Sequence, residues 1–444
     1  MNYEETLNYL YECAPMFQQK GSKAYKAGLE TTLLLDDYFN HPHRKFKTIH
    51  VAGTNGKGSC SHILAALFQK AGYKTGLYTS PHLLDFRERI RVNGKTMDTS
   101  SVVDFVENHR SFFEPLHPSF FELTTAMAFH YFEQQNIDIA IIEVGLGGRL
   151  DCTNIITPEL TIITNISLDH TQLLGHSLRE IAQEKAGVIK KGIPVIIGET
   201  TPVTRSVFLQ QAEKVGAPIF FAEEKQWIEK AQHLPNGAWC YTCDAYPALI
   251  GELSGNCQIH NTNTLLSAIH QLKKSNFQLT EEDVRAAFAH VCQLTHLKGR
   301  WQTIATSPRI ICDTGHNIAG MQYIAQQLQQ ETYTNLHIVI GMVNDKDING
   351  VVALLPKQAS YYFTKASVKR ALHETELEKI AITHQLEGSC FPTVAEAVNA
   401  AMQRATKEDL VFVGGSTFIV ADLLKMQEFR KQTKWIAPLK KAIL

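Results

Sequence analysis

Short apolar runs alternate with amphipathic stretches through the first half of the chain, the pattern of a parallel sheet covered by helices. Runs rich in β-branched and aromatic residues, each bounded by turn residues, predict strands from Thr48 to Ala52, Thr75 to Thr79, Asp138 to Val144, Leu160 to Asn165, Ile193 to Ile197 and Pro218 to Phe221. A helix should open at Ser177, where Ser177 and Glu180 form a capping box, and run to about Lys190. Beyond Gly251, apolar residues recur at three- and four-residue spacing from Asn261 to Lys274 and from Thr280 to Gln293, which predicts two helices. Periodicity is lost over Thr295-His296-Leu297-Lys298-Gly299-Arg300. A new α/β alternation follows, with strands expected from Arg309 to Asp313, Leu336 to Gly341, Ser360 to Thr364 and Leu410 to Gly414, and a helix capped by Thr393 and Glu396. The pattern predicts a larger α/β domain with a parallel sheet over residues 1–294, a hinge at 295–300 and a smaller Rossmann-like α/β domain over 301–444.

Composition agrees with two domains that each bury a core: 444 residues, 44% apolar and 20% charged, far from the balance that prevents folding. A formal net charge of −1 argues against nucleic acid or an anionic membrane as the main partner and leaves small molecules. Met1-Asn2-Tyr3-Glu4-Glu5 has neither a basic flank nor an apolar run, and no later stretch approaches the length of a membrane span. A cytoplasmic monomer is the expectation. Nine cysteines, mostly isolated within apolar segments, read as small buried hydrophobes of a reducing compartment. Cys240 and Cys243 form a C-x-x-C without a second ligand pair, and so read as structural or incidental.

The candidate chemistry lies at predicted strand ends. His50-Val51-Ala52-Gly53-Thr54-Asn55-Gly56-Lys57-Gly58-Ser59 joins a strand to a helix, where exposed N–H groups and the helix dipole favour phosphate. Lys57 is placed to reach β- and γ-phosphates, and the Ser59 hydroxyl to hold Mg²⁺. The spacing departs from the common G-x-x-x-x-G-K-[ST] loop, because Gly58 separates Lys57 from Ser59. The competing reading is a glycine-rich turn with a solvated lysine. In Ile141-Ile142-Glu143-Val144-Gly145 a carboxylate closes an apolar strand, and leaving it buried and unpaired costs on the order of several kcal/mol. Glu143 therefore needs a metal such as Mg²⁺, or a salt bridge to Arg149 or a nearby lysine. After another strand, Asn165-Ile166-Ser167-Leu168-Asp169-His170-Thr171 brings Asp169 and His170 to the same sheet edge, where ligands of open α/β sheets gather. Lys185 follows within the Ser177 helix. An ammonium there would be repelled by a metal near His170, so Lys185 is either exposed or carbamylated into an anionic oxygen ligand.

Taken together, GTNGKGS from Gly53 to Ser59, Thr79-Ser80-Pro81-His82-Leu83, EVGLGGRLDCTN from Glu143 to Asn154, LDHTQLLG from Leu168 to Gly175 and EKAGVIK from Glu184 to Lys190 resemble the folylpolyglutamate synthase/dihydrofolate synthase family, within the wider Mur ligase group. The likeness continues through Gly299-Arg300-Trp301-Gln302, Asp313-Thr314-Gly315-His316-Asn317 and Gly414-Gly415-Ser416, so it covers nearly the whole chain. It implies a P-loop ATPase domain followed by a glutamate ligase domain. The implied reaction is ATP-dependent addition of L-glutamate to dihydropteroate, to reduced folates or to both, through an acyl phosphate.

Carried over by that resemblance, Asn55, Gly56, Lys57, Gly58 and Ser59 take the ATP phosphates, and Asn261, in Gln258-Ile259-His260-Asn261, contacts adenine or ribose. Arg300 and Asp313 complete the nucleotide site from the hinge and the second domain, with His316 close to the phosphates. One Mg²⁺ touches Ser59, Ser80 and Glu143, and a second uses His170 and a carbamylated Lys185, so Lys57, Lys185 and His316 are the catalytic candidates. The pterin pocket is assigned to Gly28, Leu29 and Glu30, to Phe120, Phe121 and Glu122, and to Leu150, Asp151 and Cys152. Lys26-Ala27 stand where the family carries an acid, and Phe121 reads equally as a ring-stacking partner or as core. Two other readings compete. A cell-wall ligase of the Mur type carries a UDP-binding domain in front, for which the 52 residues before Gly53 are too few. A P-loop kinase or regulatory module would not require the second domain or the set Glu143, His170 and Lys185.

Overall fold

A computed structural model describes residues 1–13, 28–275 and 277–432, and the chain divides into two compact units between Arg300 and Trp301. Lys26 and Ala27 lie outside the described residues. The strands of the main sheet of the first unit are β1 (Lys47–Ala52), β2 (Thr75–Tyr78), β3 (Ile90–Val92), β4 (Lys95–Thr96), β5 (Ile139–Glu143), β6 (Leu160–Ile163), β7 (Val195–Ile197) and β8 (Ile219–Phe221). They are ordered β4-β3-β2-β5-β1-β6-β7-β8. The six from β2 to β8 are parallel, and the β3–β4 hairpin adds antiparallel at one edge. Every residue of β5 is buried, and its side chains alternate between two cores. Ile139 and Ile141 pack with Ile63, Leu64 and Phe68 of helix Lys57–Lys70, whereas Ala140 and Ile142 pack with Met127 and Phe129 of helix Phe120–Gln134.

Two helices end earlier than periodicity predicts. The Ser177-capped helix spans Leu178–Ala186 and stops at Gly187, where a Cβ would sit 2.4 Å from that of Arg149 and where Asn154 donates to the carbonyl at 3.1 Å. The predicted helix from Thr280 breaks at His290 into Glu281–Ala289 and Val291–Thr295. Ahead of helix Gln258–Lys274 an unpredicted antiparallel sheet forms from β9 (Lys230–His233), β10 (Trp239–Thr242) and β11 (Leu249–Gly251), in the order β11-β10-β9. Its outer strand is polar, so apolar alternation could not reveal it. Cys240 lies in β10 and Cys243 just beyond; both are free thiols, and burial pushes that of Cys243 up to about 11.

The second unit carries β12 (Gln302–Thr306), β13 (Arg309–Cys312), β14 (Leu336–Ile340), β15 (Ser360–Thr364), β16 (Gly388–Phe391) and β17 (Leu410–Gly414), ordered β12-β13-β17-β14-β15-β16. Only β12 is antiparallel to its neighbour. The four inner strands match the sequence expectation, while the edge strands β12 and β16 are half-exposed and lack an apolar run. No described helix is long and apolar enough to cross a membrane.

Asp409 ties the entry of β17 to that of β14. It accepts hydrogen bonds from Asn335 N at 2.8 Å, Asn335 Nδ2 at 3.0 Å and Thr406 N at 2.7 Å. Burial alone would push its carboxyl up, but the bonds from Thr406 and Asn335 outweigh this and hold it at about 2. A depressed carboxyl stabilises above the unfolded value and loses that contribution as pH falls through the folded one. Asp409→Asn is therefore expected to cost roughly 2 kcal/mol in urea melts at neutral pH, the gap to wild type closing between about pH 4 and the folded value. A gap that does not change with pH would contradict this origin.

Candidate active site at the carboxyl edge of the first sheet

The loop after β1 is braced from β6. Gly53 has φ +139°, and a Cβ there would fall 1.9 Å from Thr164 Oγ1, so glycine is required. The Thr164 hydroxyl donates to the Asn55 carbonyl at 2.5 Å. Asn165 accepts Thr54 N on its carbonyl at 2.9 Å and Asn55 N on its side chain at 3.0 Å. The Asn165 amide in turn donates to Glu199 at 3.1 Å, and Glu199 lies 3.4 Å from His260. Nothing in the sequence singles out Thr164; the one signal is its position opposite an obligatory glycine.

Two lysines converge on one carbonyl. Lys57 Nζ donates to Gly53 O at 2.9 Å and Thr54 O at 3.1 Å, and Lys185 Nζ donates to Gly53 O at 2.9 Å. Lys185 is buried, which removes the exposed reading. Burial, and then the charge of Lys57, push its ammonium down to about 7 against the pull of Asp169 and Asp151. Burial also lowers Lys57, opposed chiefly by Glu143.

Glu143, the last residue of β5, is 4% exposed and accepts Ser80 N at 3.3 Å. Burial pushes its carboxyl up, while Lys57 and Arg300 pull it down. Arg149 is not its partner: that guanidinium pairs with Glu184 at 2.8 Å. A Cβ on Gly58 would lie 3.1 Å from the Arg300 guanidinium and 4.0 Å from Glu143, so the extra glycine opens the space in which both charged groups approach the loop. Ser59 is buried, and its hydroxyl accepts from Gln258 Nε2 at 3.3 Å. The Asn261 side chain is engaged inside the protein, donating to Gln258 at 3.0 Å while its oxygen lies 2.3 Å from where a Gly56 Cβ would be. His170 has φ +49° and its Nε2 lies 3.9 Å from Asp169. Thus Asn55, Gly56, Lys57, Gly58, Ser59, Ser80, Glu143, Lys185, Asn261 and Arg300 are joined by these contacts around one loop.

The residues assigned to a pterin pocket separate by environment. Phe121 is half-buried, stacked near Tyr78 with centroids 5.8 Å apart, and covers Gly145, where a Cβ would meet its ring at 2.3 Å. Phe120 is core, edge-on to Phe86 and beneath Arg89. Glu122 is committed to the capping box of Ser119. Asp151 receives Leu146 N at 2.8 Å and Thr153 N at 3.0 Å, so its carboxylate holds its own loop. Cys152 is buried and Leu150 half-exposed. Gly28 has φ +108°; Leu29 and Glu30 line an open cavity of about 700 Å³ with Leu33 and Leu34. In the second unit Asp313 accepts Trp301 N and Gly315 N, each at 2.7 Å, and His316 Nδ1 donates to Thr314 O at 2.9 Å.

The Phe121–Gly145 packing is directly testable. Gly145→Ala is expected to cost about 1–3 kcal/mol in urea unfolding, as for other overpacked sites, and to cost far less in a Phe121→Ala background. Equal penalties in both backgrounds would mean that the ring does not set the constraint.

Residues 51–237 match the Mur ligase middle domain and residues 299–417 the Mur ligase glutamate ligase domain. The dihydrofolate synthase/folylpolyglutamate synthase of Escherichia coli (strain K12) is 33% identical over 383 residues, covering 86% of each chain. A probable bifunctional folylpolyglutamate synthase/dihydropteroate synthase of Haloferax volcanii is 32% identical over 95% of this chain, which spans only 50% of that longer protein. E. coli FolC in complex with DHPP and ADP superposes with a TM-score of 0.83 at 30% identity, over 97% of this chain and 99% of that one. A bifunctional folylpolyglutamate synthase/dihydrofolate synthase with Mn, AMPPNP and L-glutamate bound gives 0.81 at 29%, over 96% and 98%. With the loop, the buried glutamate and the paired lysines all in one site, the chain belongs to the dihydrofolate synthase/folylpolyglutamate synthase family of carbon–nitrogen ligases.

Proposed function

We propose that this protein joins L-glutamate to dihydropteroate, to reduced folylglutamates or to both, using ATP to activate the pterin substrate's carboxylate. The observation that carries the reading is the meeting of buried Glu143 with Lys57, Arg300 and Ser80 beside a phosphate-type loop. The relatives' complexes with ADP, DHPP, AMPPNP and L-glutamate support it. Residues 1–294 would then hold nucleotide and pterin, 295–300 act as hinge and 301–444 serve the glutamate step. For Asp313 and His316 the assignment to nucleotide rests on the family pattern alone.

The donor set fits a hard divalent cation such as Mg²⁺. Glu143 offers a buried carboxylate and Ser59 and Ser80 offer hydroxyls, leaving the remaining positions for phosphate oxygens, as Mg²⁺ prefers. Bound there, the cation would offset negative charge on the β- and γ-phosphates. A second cation at His170 fits only if Lys185 is a carbamate. Its lowered proton affinity supports this, because a neutral amine adds CO₂ to give a carbamate and releases one proton.

The residues divide the work as follows. Backbone N–H groups from Gly56 to Ser59 hold the phosphates, and Lys57 exchanges the carbonyls of Gly53 and Thr54 for phosphate oxygens. The substrate carboxylate attacks the γ-phosphorus in line, breaking its bond to the bridging oxygen and releasing ADP. Arg300 and Lys57 neutralise charge developing on the transferred group. The glutamate amine then attacks the acyl carbon, phosphate leaves with the bonding pair, and the amine's proton passes to solvent. Phe121 is the ring available to stack on a flat heterocycle beside Gly145.

Incubation with ATP, glutamate and each pterin in turn, read by product mass, should give a product heavier by one glutamate, with ADP release that needs both co-substrates. ADP release unchanged by either compound would refute the ligase reading. Lys57→Ala should lower turnover at least 100-fold, of the order found for removal of a preorganised charge-stabilising group. Lys185→Ala should lose activity and regain part of it with added short carboxylic acids; a folded variant without any rescue would count against the carbamate.

A further inference from the structure

Helical serines commonly turn their hydroxyl back to the carbonyl four residues earlier. For Ser59 that carbonyl belongs to Asn55, and it already accepts the Thr164 hydroxyl at 2.5 Å. The Ser59 oxygen instead accepts from Gln258 Nε2, on the first turn of helix Gln258–Lys274 and 199 positions away in sequence. The Gln258 amide is committed at every atom. Its Oε1 accepts Asn261 Nδ2 at 3.0 Å, and its Nε2 donates to Ser59 Oγ at 3.3 Å and towards Cys257 Sγ at 3.8 Å. Turning the amide over would break the bond to Asn261, whose own oxygen is wedged against Gly56. Gln258 and Ser59 are 3% and 2% exposed, so water does not substitute for either partner.

We propose that Gln258 is a positioning residue that fixes the Ser59 hydroxyl for the nucleotide's divalent cation. The proposal rests on the function given above. By occupying one lone pair of Ser59 Oγ, the amide selects a single hydroxyl rotamer and leaves the second lone pair for the cation. The helix after the antiparallel sheet thereby sets cation affinity at the loop without touching the cation.

Mn²⁺ is the probe, since it takes the same oxygen ligands and its free form is counted by electron paramagnetic resonance. Full-length wild type, Gln258→Met, Ser59→Ala and the double variant are titrated with Mn²⁺ at saturating ADP. Gln258→Met should weaken Mn²⁺ binding about tenfold, the lower end for partners of metal ligands. The same substitution in the Ser59→Ala background should add little, a non-additivity that a purely packing role would not produce. Gln258→Asn, too short to span Ser59 and Asn261, should behave like Gln258→Met and serves if the latter folds poorly. Unchanged Mn²⁺ affinity, or an equal loss with and without Ser59, overturns the proposal alone. Absence of ADP-dependent Mn²⁺ binding in wild type overturns it together with the ATP reading.

Discussion

A carboxylate carried to the end of a fully buried strand is the constraint on which the first unit depends. Glu143 closes a strand whose other four residues lie at 0% exposure and is itself only 4% exposed, so its charge is held largely out of water. Positive groups must come to it, and the loop after β1 and the last residue of the unit supply them as Lys57 and Arg300. That requirement accounts for the glycine at position 58, because any side chain there would enter the space the guanidinium uses. The low-dielectric setting that makes the acid costly in isolation also makes each opposing charge count for more.

Neutral side chains brace the loop after β1, and a carboxylate fastens the loop beside it. Thr164 and Asn165 hold its backbone, and Asp151 turns both its oxygens inward to fasten the neighbouring loop after β5. This division leaves the cations with weak obligations to the fold. Lys57 and Lys185 lean on backbone carbonyls, which a phosphate displaces more readily than a carboxylate partner.

The parallel strands and the loop were legible because their signals are local: β-branched runs, turn residues, and a glycine-rich link into a helix. Glu143 was legible for a related reason, as an acid out of place in an apolar run; the charges that pull its carboxyl down are Lys57, a lysine as anticipated, and Arg300, while Arg149 pairs elsewhere. What escaped depends on pairing across the chain. Polar edge strands β9 and β12 form only against a neighbour, and the break at His290 leaves no mark in the apolar spacing. Within the site, Thr164 and Gln258 are ordinary residues until folding sets them against Gly53 and Ser59. Phe120 and Phe121 are adjacent and alike in sequence, yet the helix turns one into the core and the other onto Gly145.

The carbonyl of Gly53 accepts from two lysine side chains at once, and the two do not stay equally charged. Burial and the neighbouring charge of Lys57 together favour the uncharged amine at Lys185, so the loop keeps one firm cation and one lysine that gives up its proton easily. A nucleotide bound here engages the folded unit and not the unfolded chain, so it should act as a folding ligand, raising resistance to heat and proteolysis as occupancy rises.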